Sequence, residues 1–473
     1  MKSKYEPTIG LEIHVELKTK TKMFCNSAND PDEKHPNVNV CPVCMGHPGT
    51  LPVINKEAVR KVLLVGKALN GKLAEYSQFD RKNYFYPDLP KGYQISQYKY
   101  PLVSGGELKG VKITRIHLEE DTGRLIHLDG GSSVDFNRAG MPLMELVTEP
   151  IIKNGEEARK FAEGLQLILR YLEVSDADME KGQMRVEVNI SLYQISNIKS
   201  QKLGTKVEIK NLNSFRAAER AINYEIERQA EVLDKDEKVK QETRGWDENK
   251  GITFSQREKE ESHDYRYFPE PDLPPLQLSA FGFQLSVPEL PEQKRERFKK
   301  EYGLKDETAE IFIRDKKFSD YFEEAISELK NKNLIQLAVN YLTSDLQNLM
   351  KEKMLTFDEL LVSPENFAEL IVMINKNEIN SRVAKDVLKI MVSKGGEPSV
   401  IVKELGLGQM NDESALIGVI EKIIAGNSAV VSDYKKGKEE AMQFLVGQGM
   451  RETKGSANPE ILKKLLQEKI SKI

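Results

Sequence analysis

The strongest constraint on the fold is an alternation. The stretch "IGLEIHVELKT", residues 9–19, read with a period of two, puts Glu12, His14 and Glu16 on one face and Leu11, Ile13, Val15 and Leu17 on the other. The same pattern returns in "ITRIHLEED", where Arg115, His117, Glu119 and Asp121 share a face. It returns again in "MRVEVNISL", with Arg185, Glu187, Asn189 and Ser191, and in "GTKVEIKNLNSF", with Lys206, Glu208 and Lys210. Each segment reads as a strand covered on one side only. A single such strand is explained by a solvated face. Four of them, carrying His, Asn and Ser among acids and bases, ask for more than solvation.

Two readings account for the shared face. In one, Arg, Lys and Glu satisfy one another as an internal salt-bridge lattice. In the other, carboxylates and an imidazole hold Mg²⁺, while interleaved Arg and Lys clamp a polyphosphate during phosphoryl transfer. "DFNRAGMPLMELVTEP" adds Arg138, Glu145 and Glu149 to the second reading. The chain has no G-x-x-x-x-G-K-[ST] loop and no G-x-G-x-x-G after a strand. A nucleotide would therefore lie on the sheet and its cations rather than at a helix N-terminus.

The alternation stops near residue 290. At "SVPELPEQKRERF", Pro288 and Pro291 flank a switch to Lys/Glu-rich helical spacing that continues to the end of the chain. Gly395 and Gly396 in "SKGGEPS" make a second break. Asn458 as N-cap and Pro459 at N1 open a final helix with Ile461, Leu462, Leu465, Leu466 and Ile470 as its apolar stripe. The expected organisation is an α+β body over 1–290, a helical domain over 291–405 and a small helical tail over 406–473. At 473 residues the chain is long enough for several cores.

Bulk properties narrow the class. The formal net charge of −4 gives no overall field for nucleic acid. Mean hydropathy is −0.50, and no run of about 18 apolar residues suits a membrane span. The N-terminus "MKSKYEPTIG" reads neither as a signal nor as a transit peptide, and three cysteines make no disulfide framework. A cytoplasmic protein without membrane contact is the expectation.

Taken together, the motifs resemble the B subunit of the aspartyl/glutamyl-tRNA amidotransferase, the GatB family. The segments that carry the resemblance are "IGLEIHVELKTKTKMF", "HPGTLPVIN", "FDRKNYFYPDLPKGYQISQY", "RIHLEEDTGRLIH", "DFNRAGMPLMELVTEP", "VEIKNLNSFRAAERAINYEIERQ", "QETRGWD" and "DYRYFPEPDLPPL", in that order. The tail "MRETKGSANPEILKKLL" is similar to the family's C-terminal module. The resemblance implies a glutamine-synthetase-like cradle of antiparallel sheet and helices. It implies an ATP-dependent carbon–nitrogen ligase that phosphorylates the side-chain carboxylate of Glu-tRNA(Gln), and/or Asp-tRNA(Asn), then amidates it with ammonia. Implied partners are a glutaminase (A) subunit, a small C subunit and tRNA(Gln) and/or tRNA(Asn).

Site residues follow from the same resemblance. His14, Glu119 and Glu145 match the family positions that hold the catalytic Mg²⁺, with Glu12 beside them for a second metal or a water ligand. Arg185, Glu187, Asn189, Glu208, Lys210, Asn211 and Ser214 form the nucleotide-facing group. Glu16 extends the pattern by period alone, and a solvated edge would explain it. In "KNYFYPD", Lys82, Tyr84 and Tyr86 suit stacking on the terminal bases of a tRNA, with core packing as the alternative.

The tail from Val431 to Ile473 carries nine Lys plus Arg against six Asp plus Glu. There Lys435, Lys436, Arg451 and Lys454 are expected on the tRNA body. Cys41 and Cys44 form a zinc knuckle with Cys25 sixteen residues upstream. Ser27 stands where zinc-holding relatives carry another cysteine, and His35 and His47 are the other candidate ligands. The choice is between a structural Zn²⁺ and a degenerate knuckle of ordinary thiols. Two other functions fit parts of the sequence. One is a metal-dependent acyl-phosphate ligase acting on a free amino acid, and the other is a non-catalytic RNA-binding scaffold.

Overall fold

The computed structural model describes residues 4–195, 204–258, 265–329, 331–407, 413–453 and 457–472. The chain divides into two compact units, Met1–Gln293 and Lys294–Ile473.

The first unit is built on a ten-stranded sheet. Its principal strands are β1 (Tyr5–Glu16), β4 (Val111–Glu120), β5 (Pro142–Thr148), β6 (Met184–Gln194), β7 (Val207–Lys210), β8 (Glu242–Asp247) and β9 (Ile252–Glu258). A three-stranded sheet, order β10-β2-β3, is formed by β2 (Asp80–Asn83), β3 (Tyr93–Ser96) and β10 (Arg266–Pro269). In the large sheet the order is β9-β8-β7-β6-β1-β5-β4, continued by Val103–Ser104 and Lys72–Leu73. The pairs among the long strands are antiparallel except β7 with β8, which is parallel. The α+β class is as expected, and the one parallel pair makes the large sheet mixed. The helix Phe215–Asp234 lies between its two strands in the chain, and such a crossover returns the chain in the same direction.

The predicted alternation is realised. Leu11, Ile13 and Val15 of β1, Met144 and Leu146 of β5, and Val186, Val188 and Ile190 of β6 are buried in one core with Val207 and Ile209. Helices α1 (Lys56–Ala68), α2 (Gly155–Tyr171) and α3 (Phe215–Asp234) contribute the facing residues, including Val62, Phe161, Leu165 and Ile222. Their N-termini are capped by Asn55, Asn154 and Ser214, each accepting from backbone N–H groups of the first turn. The polar face of the sheet is thereby left free of helices from this layer.

The second unit is helical. Helix α4 (Pro291–Tyr302) begins at Pro291 itself, and Phe298, Phe312, Phe318 and Phe322 pack as a ring cluster with centroids 4.2–5.2 Å apart. Helix Ser381–Lys394 stops at Gly395, whose φ of +70° favours glycine. Toward the C-terminus, Leu416, Ile420, Leu445, Leu462 and Leu466 make a separate core. The last helix runs Pro459–Ser471, with Asn458 accepting from Glu460 and Ile461 and the expected stripe buried or half-buried. Among the described residues no helix is long and apolar enough to cross a membrane.

Candidate functional site

Register brings the predicted acids together. His14 on β1 stands opposite Glu145 on β5 and opposite Arg185 on β6, while Glu12 stands opposite Glu187. On the outer side of β5, Glu145 faces His117 of β4. Residues directly opposite on neighbouring strands point to the same face, so these side chains converge. His14 Nε2 lies 3.5 Å from Glu145 Oε2 and 3.9 Å from Glu119 Oε1. One ligand atom from each of His14, Glu119 and Glu145 falls within 4.8 Å of the others, a spacing that one cation can bridge.

A second triad lies beside the first. Glu12, Glu187 and Glu208 meet the same spacing, with Asn189 Nδ2 donating to Glu12 Oε1 at 2.8 Å. Lys210 Nζ reaches Glu187 at 3.0 Å and Glu208 at 3.7 Å, and Thr243 Oγ1 donates to Glu208 at 2.6 Å. Buried oxygens and nitrogens without partners accompany the two triads: His14 Nδ1, His117 Nδ1 and Asn189 Oδ1. Such groups mark a place where the protein alone does not complete its bonding.

The electrostatics follow the crowding. Burial first, then the charges of Glu145 and Glu187, raise the Glu12 carboxyl above its ordinary value. Burial works against a charged His14, but the hydrogen bond and charge of Glu145, helped by Glu119, outweigh it and raise the imidazole. Glu145 is held well below the carboxylate range, because His117 and His14 overcome its burial. Lys210 is raised despite burial by Glu187 and Glu208.

Other sequence candidates are distributed unevenly. Lys82 on β2 is placed within the carboxylate cluster, 3.9 Å from Glu119 Oε2 and 4.8 Å from the ring centroid of Tyr265. Its burial is outweighed by Glu119, Tyr267 and Glu145, which keep the ammonium charged. Tyr84 packs edge-on against Tyr265 and donates to Gln94, whereas Tyr86 is exposed. Arg185 and Arg138 both approach Asp121, at 3.1 and 3.3 Å, so part of the polar face is an internal ion-pair lattice. Asn211 adopts φ +62° at the turn after β7 and donates to Trp246 O, and Ser214 caps α3. Glu16 is not at a solvated edge: β1 is a central strand, and burial together with Asp121 raises its carboxyl to about 7.

Two residues at the site were not among the named sequence candidates. His117 reaches Glu145 Oε2 at 3.2 Å, and Ser96 Oγ on β3 donates to Glu119 Oε2 at 2.9 Å. The first was visible as a polar member of its alternating strand. The second belongs to a segment without that pattern.

The cysteines also converge. The sulfurs of Cys25, Cys41 and Cys44 lie within 4.8 Å of one another, and Cys25 and Cys44 line a cavity of about 210 Å³ together with His47. Ser27 Oγ stands 3.9 Å from Cys44 Sγ, and the buried Lys22 ammonium donates to the same sulfur at 3.9 Å. His35 is turned to Glu33 at 2.9 Å. In the tail, Lys435, Lys436 and Arg451 are exposed; Lys454 lies outside the described residues.

Comparison with known proteins gives the family. A family model described as the GatB/GatE catalytic domain matches residues 7–282, and one described as the GatB domain matches residues 320–470. The B subunit of the aspartyl/glutamyl-tRNA(Asn/Gln) amidotransferase of Thermoanaerobacter pseudethanolicus is 48% identical over 481 residues, covering 99% of this chain and 100% of that protein. The corresponding subunit of Caldicellulosiruptor bescii, of the same name, is 47% identical over 485 residues, with 99% and 100% coverage. That of Thermotoga maritima is 45% identical over 481 residues, covering 98% of each. With the first domain spanning more than half of the chain and relatives aligned along its whole length, the chain belongs to the GatB family.

Proposed function

We propose that the chain is the B subunit of a tRNA-dependent amidotransferase. It uses ATP to phosphorylate the side-chain carboxylate of Glu-tRNA(Gln), Asp-tRNA(Asn) or both, and then amidates it. The observation that carries this reading is the pair of adjacent triads, His14/Glu119/Glu145 and Glu12/Glu187/Glu208, with Lys82 and Lys210 among them. Oxygen donors with one imidazole suit Mg²⁺, and the orphaned buried atoms beside them fit a missing ligand. Mg²⁺ held by His14, Glu119 and Glu145 would neutralise charge on the phosphoryl group in flight.

The chain's own part is to bind, orient and neutralise. Arg185, Glu187, Asn189, Glu208, Lys210, Asn211 and Ser214 line or frame the nucleotide side of the face. The substrate carboxylate attacks the γ-phosphorus and ADP leaves. Ammonia then attacks the acyl carbon and phosphate leaves, giving the amide. No protein nucleophile is needed for either step. Ammonia is supplied by a glutaminase subunit, and a small C subunit completes the assembly.

The tail over 406–473 is assigned to the tRNA body through Lys435, Lys436 and Arg451, and residues 291–405 are assigned to a separate helical domain. Lys82, Tyr84 and Tyr86 are assigned to the acceptor end, with Tyr86 as the exposed stacking surface. Cys25, Cys41 and Cys44 suit a structural Zn²⁺ in donor type, but a closed site takes four ligands and the chain supplies Ser27 in the fourth place.

The decisive assay combines the chain with its partner subunits, ATP, Mg²⁺, free ammonium and Glu-tRNA(Gln) or Asp-tRNA(Asn). Amide formation on the tRNA is expected. Amidation of free glutamate instead would assign a small-molecule ligase, and absence of ATP turnover would leave only an RNA-binding scaffold.

A further inference from the structure

We propose that His117 is a positioning residue for this cation cluster: it fixes the Glu145 carboxylate by a hydrogen bond from Nε2. The proposal rests on the reading of His14, Glu119 and Glu145 as cation ligands.

Three observations carry it. His117 and Glu145 are direct cross-strand partners, so backbone pairing sets their approach. Its side chain is 4% exposed, and Nε2 lies 3.2 Å from Glu145 Oε2, while Glu119 Oε2 is farther away at 4.0 Å. Its Nδ1 is buried without a hydrogen-bond partner, so the ring's polar contact runs through Nε2. His117 nevertheless stands outside the converging set of His14, Glu119 and Glu145.

This geometry gives the two imidazoles different tasks. His14 approaches Glu145 Oε2 at 3.5 Å and also faces Glu119 at 3.9 Å, as a ligand between two carboxylates would. His117 meets the same oxygen from the far strand. With its proton on Nε2 it would donate to Oε2 and restrain the carboxylate, whose other oxygen would stay available to a cation.

The test uses the full chain and Mn²⁺ as the probe, with free Mn²⁺ followed by its paramagnetic resonance signal. His117→Gln carries an amide N–H to the place of Nε2. His117→Asn is too short to do so, and His117→Leu keeps bulk without a donor. Binding close to wild type is expected for Gln, and weakening of about 10–100-fold for Asn and Leu. In the assembled enzyme, His117→Asn should raise the Mg²⁺ needed for half-maximal amidation, while the rate at saturating Mg²⁺ recovers. Its melting temperature without a cation should match that of His117→Gln. If His117→Leu does not fold, the Gln and Asn pair still decides.

Equal binding by Asn, Leu and wild type would overturn the proposal, provided that His14→Ala loses Mn²⁺. Equal loss in Gln and Asn would overturn it as well. If His14→Ala binds Mn²⁺ like wild type, the cation reading itself fails and this inference goes with it.

Discussion

His14 and Glu145 stand opposite each other on adjacent strands at the centre of the large sheet, with Nε2 and Oε2 3.5 Å apart. Because both are expected to serve one cation, their removal should not add. His14→Ala and Glu145→Ala should each lower amidation by about 100-fold or more, and the double variant should be no worse than the more damaged single. tRNA retention on filters should stay near wild type in all three. Additive losses would separate the two residues into independent functions.

The cysteine knuckle offers a change of ligand count. Burial disfavours the Cys44 thiolate, but a hydrogen bond from Cys25, the Cys41 N–H and Lys22 hold its thiol well below the ordinary range. Ser27→Cys would add a fourth thiol 3.9 Å from that sulfur, judged by the present Oγ. Cobalt substitution should then show a stronger thiolate charge-transfer band than in wild type, and zinc should survive chelator treatment longer. An unchanged spectrum would mean that Ser27 does not occupy the missing ligand's place.

Removal of residues 406–473 should weaken tRNA binding and leave Mn²⁺ binding unaltered. The tail carries its own core around Leu416, Leu445 and Leu466. Lys435→Glu with Lys436→Glu is the milder form of the same test, since both side chains are exposed. The slope of log affinity against log salt should fall by about 0.7–0.9 for each phosphate that is no longer neutralised. Equal affinity after truncation would refute the tail's role.

Acid stability should report on the buried Glu242–Arg244 pair of β8. Glu242 is 6% exposed, and Arg244 Nη1 lies 2.5 Å from its Oε1. Burial alone would raise this carboxyl, but hydrogen bonds from Ser255 and Arg244 lower it below the usual glutamate value. A depressed folded-state value stabilises the protein above the unfolded-state value, about 4.3, and that contribution is lost as pH falls through the folded one. Melting temperature against pH should therefore lose part of its fall below about pH 4 in Glu242→Gln. A parallel fall in both proteins would assign the acid transition elsewhere.

The alternation in "IGLEIHVELKT" and its counterparts determined, by sequence alone, a sheet with one covered and one polar face, because a strand turns every second side chain to the same side. Asn458–Pro459 and Gly395 likewise marked helix ends through local backbone chemistry. Resemblance of motifs led to the family, and the family model and relatives show it.

What the alternation does not contain is register and strand order. The placement of Glu16 in a central strand, the sharing of Asp121 by Arg185 and Arg138, and the meeting of His117 with Glu145 all depend on pairing between distant segments. Lys82 is the clearest case. Its segment reads as an aromatic surface for bases, yet its ammonium lies in the carboxylate cluster, on a strand of the small sheet, 3.9 Å from Glu119. Period two assigns a residue to a face; only the folded sheet decides which charge it finds there.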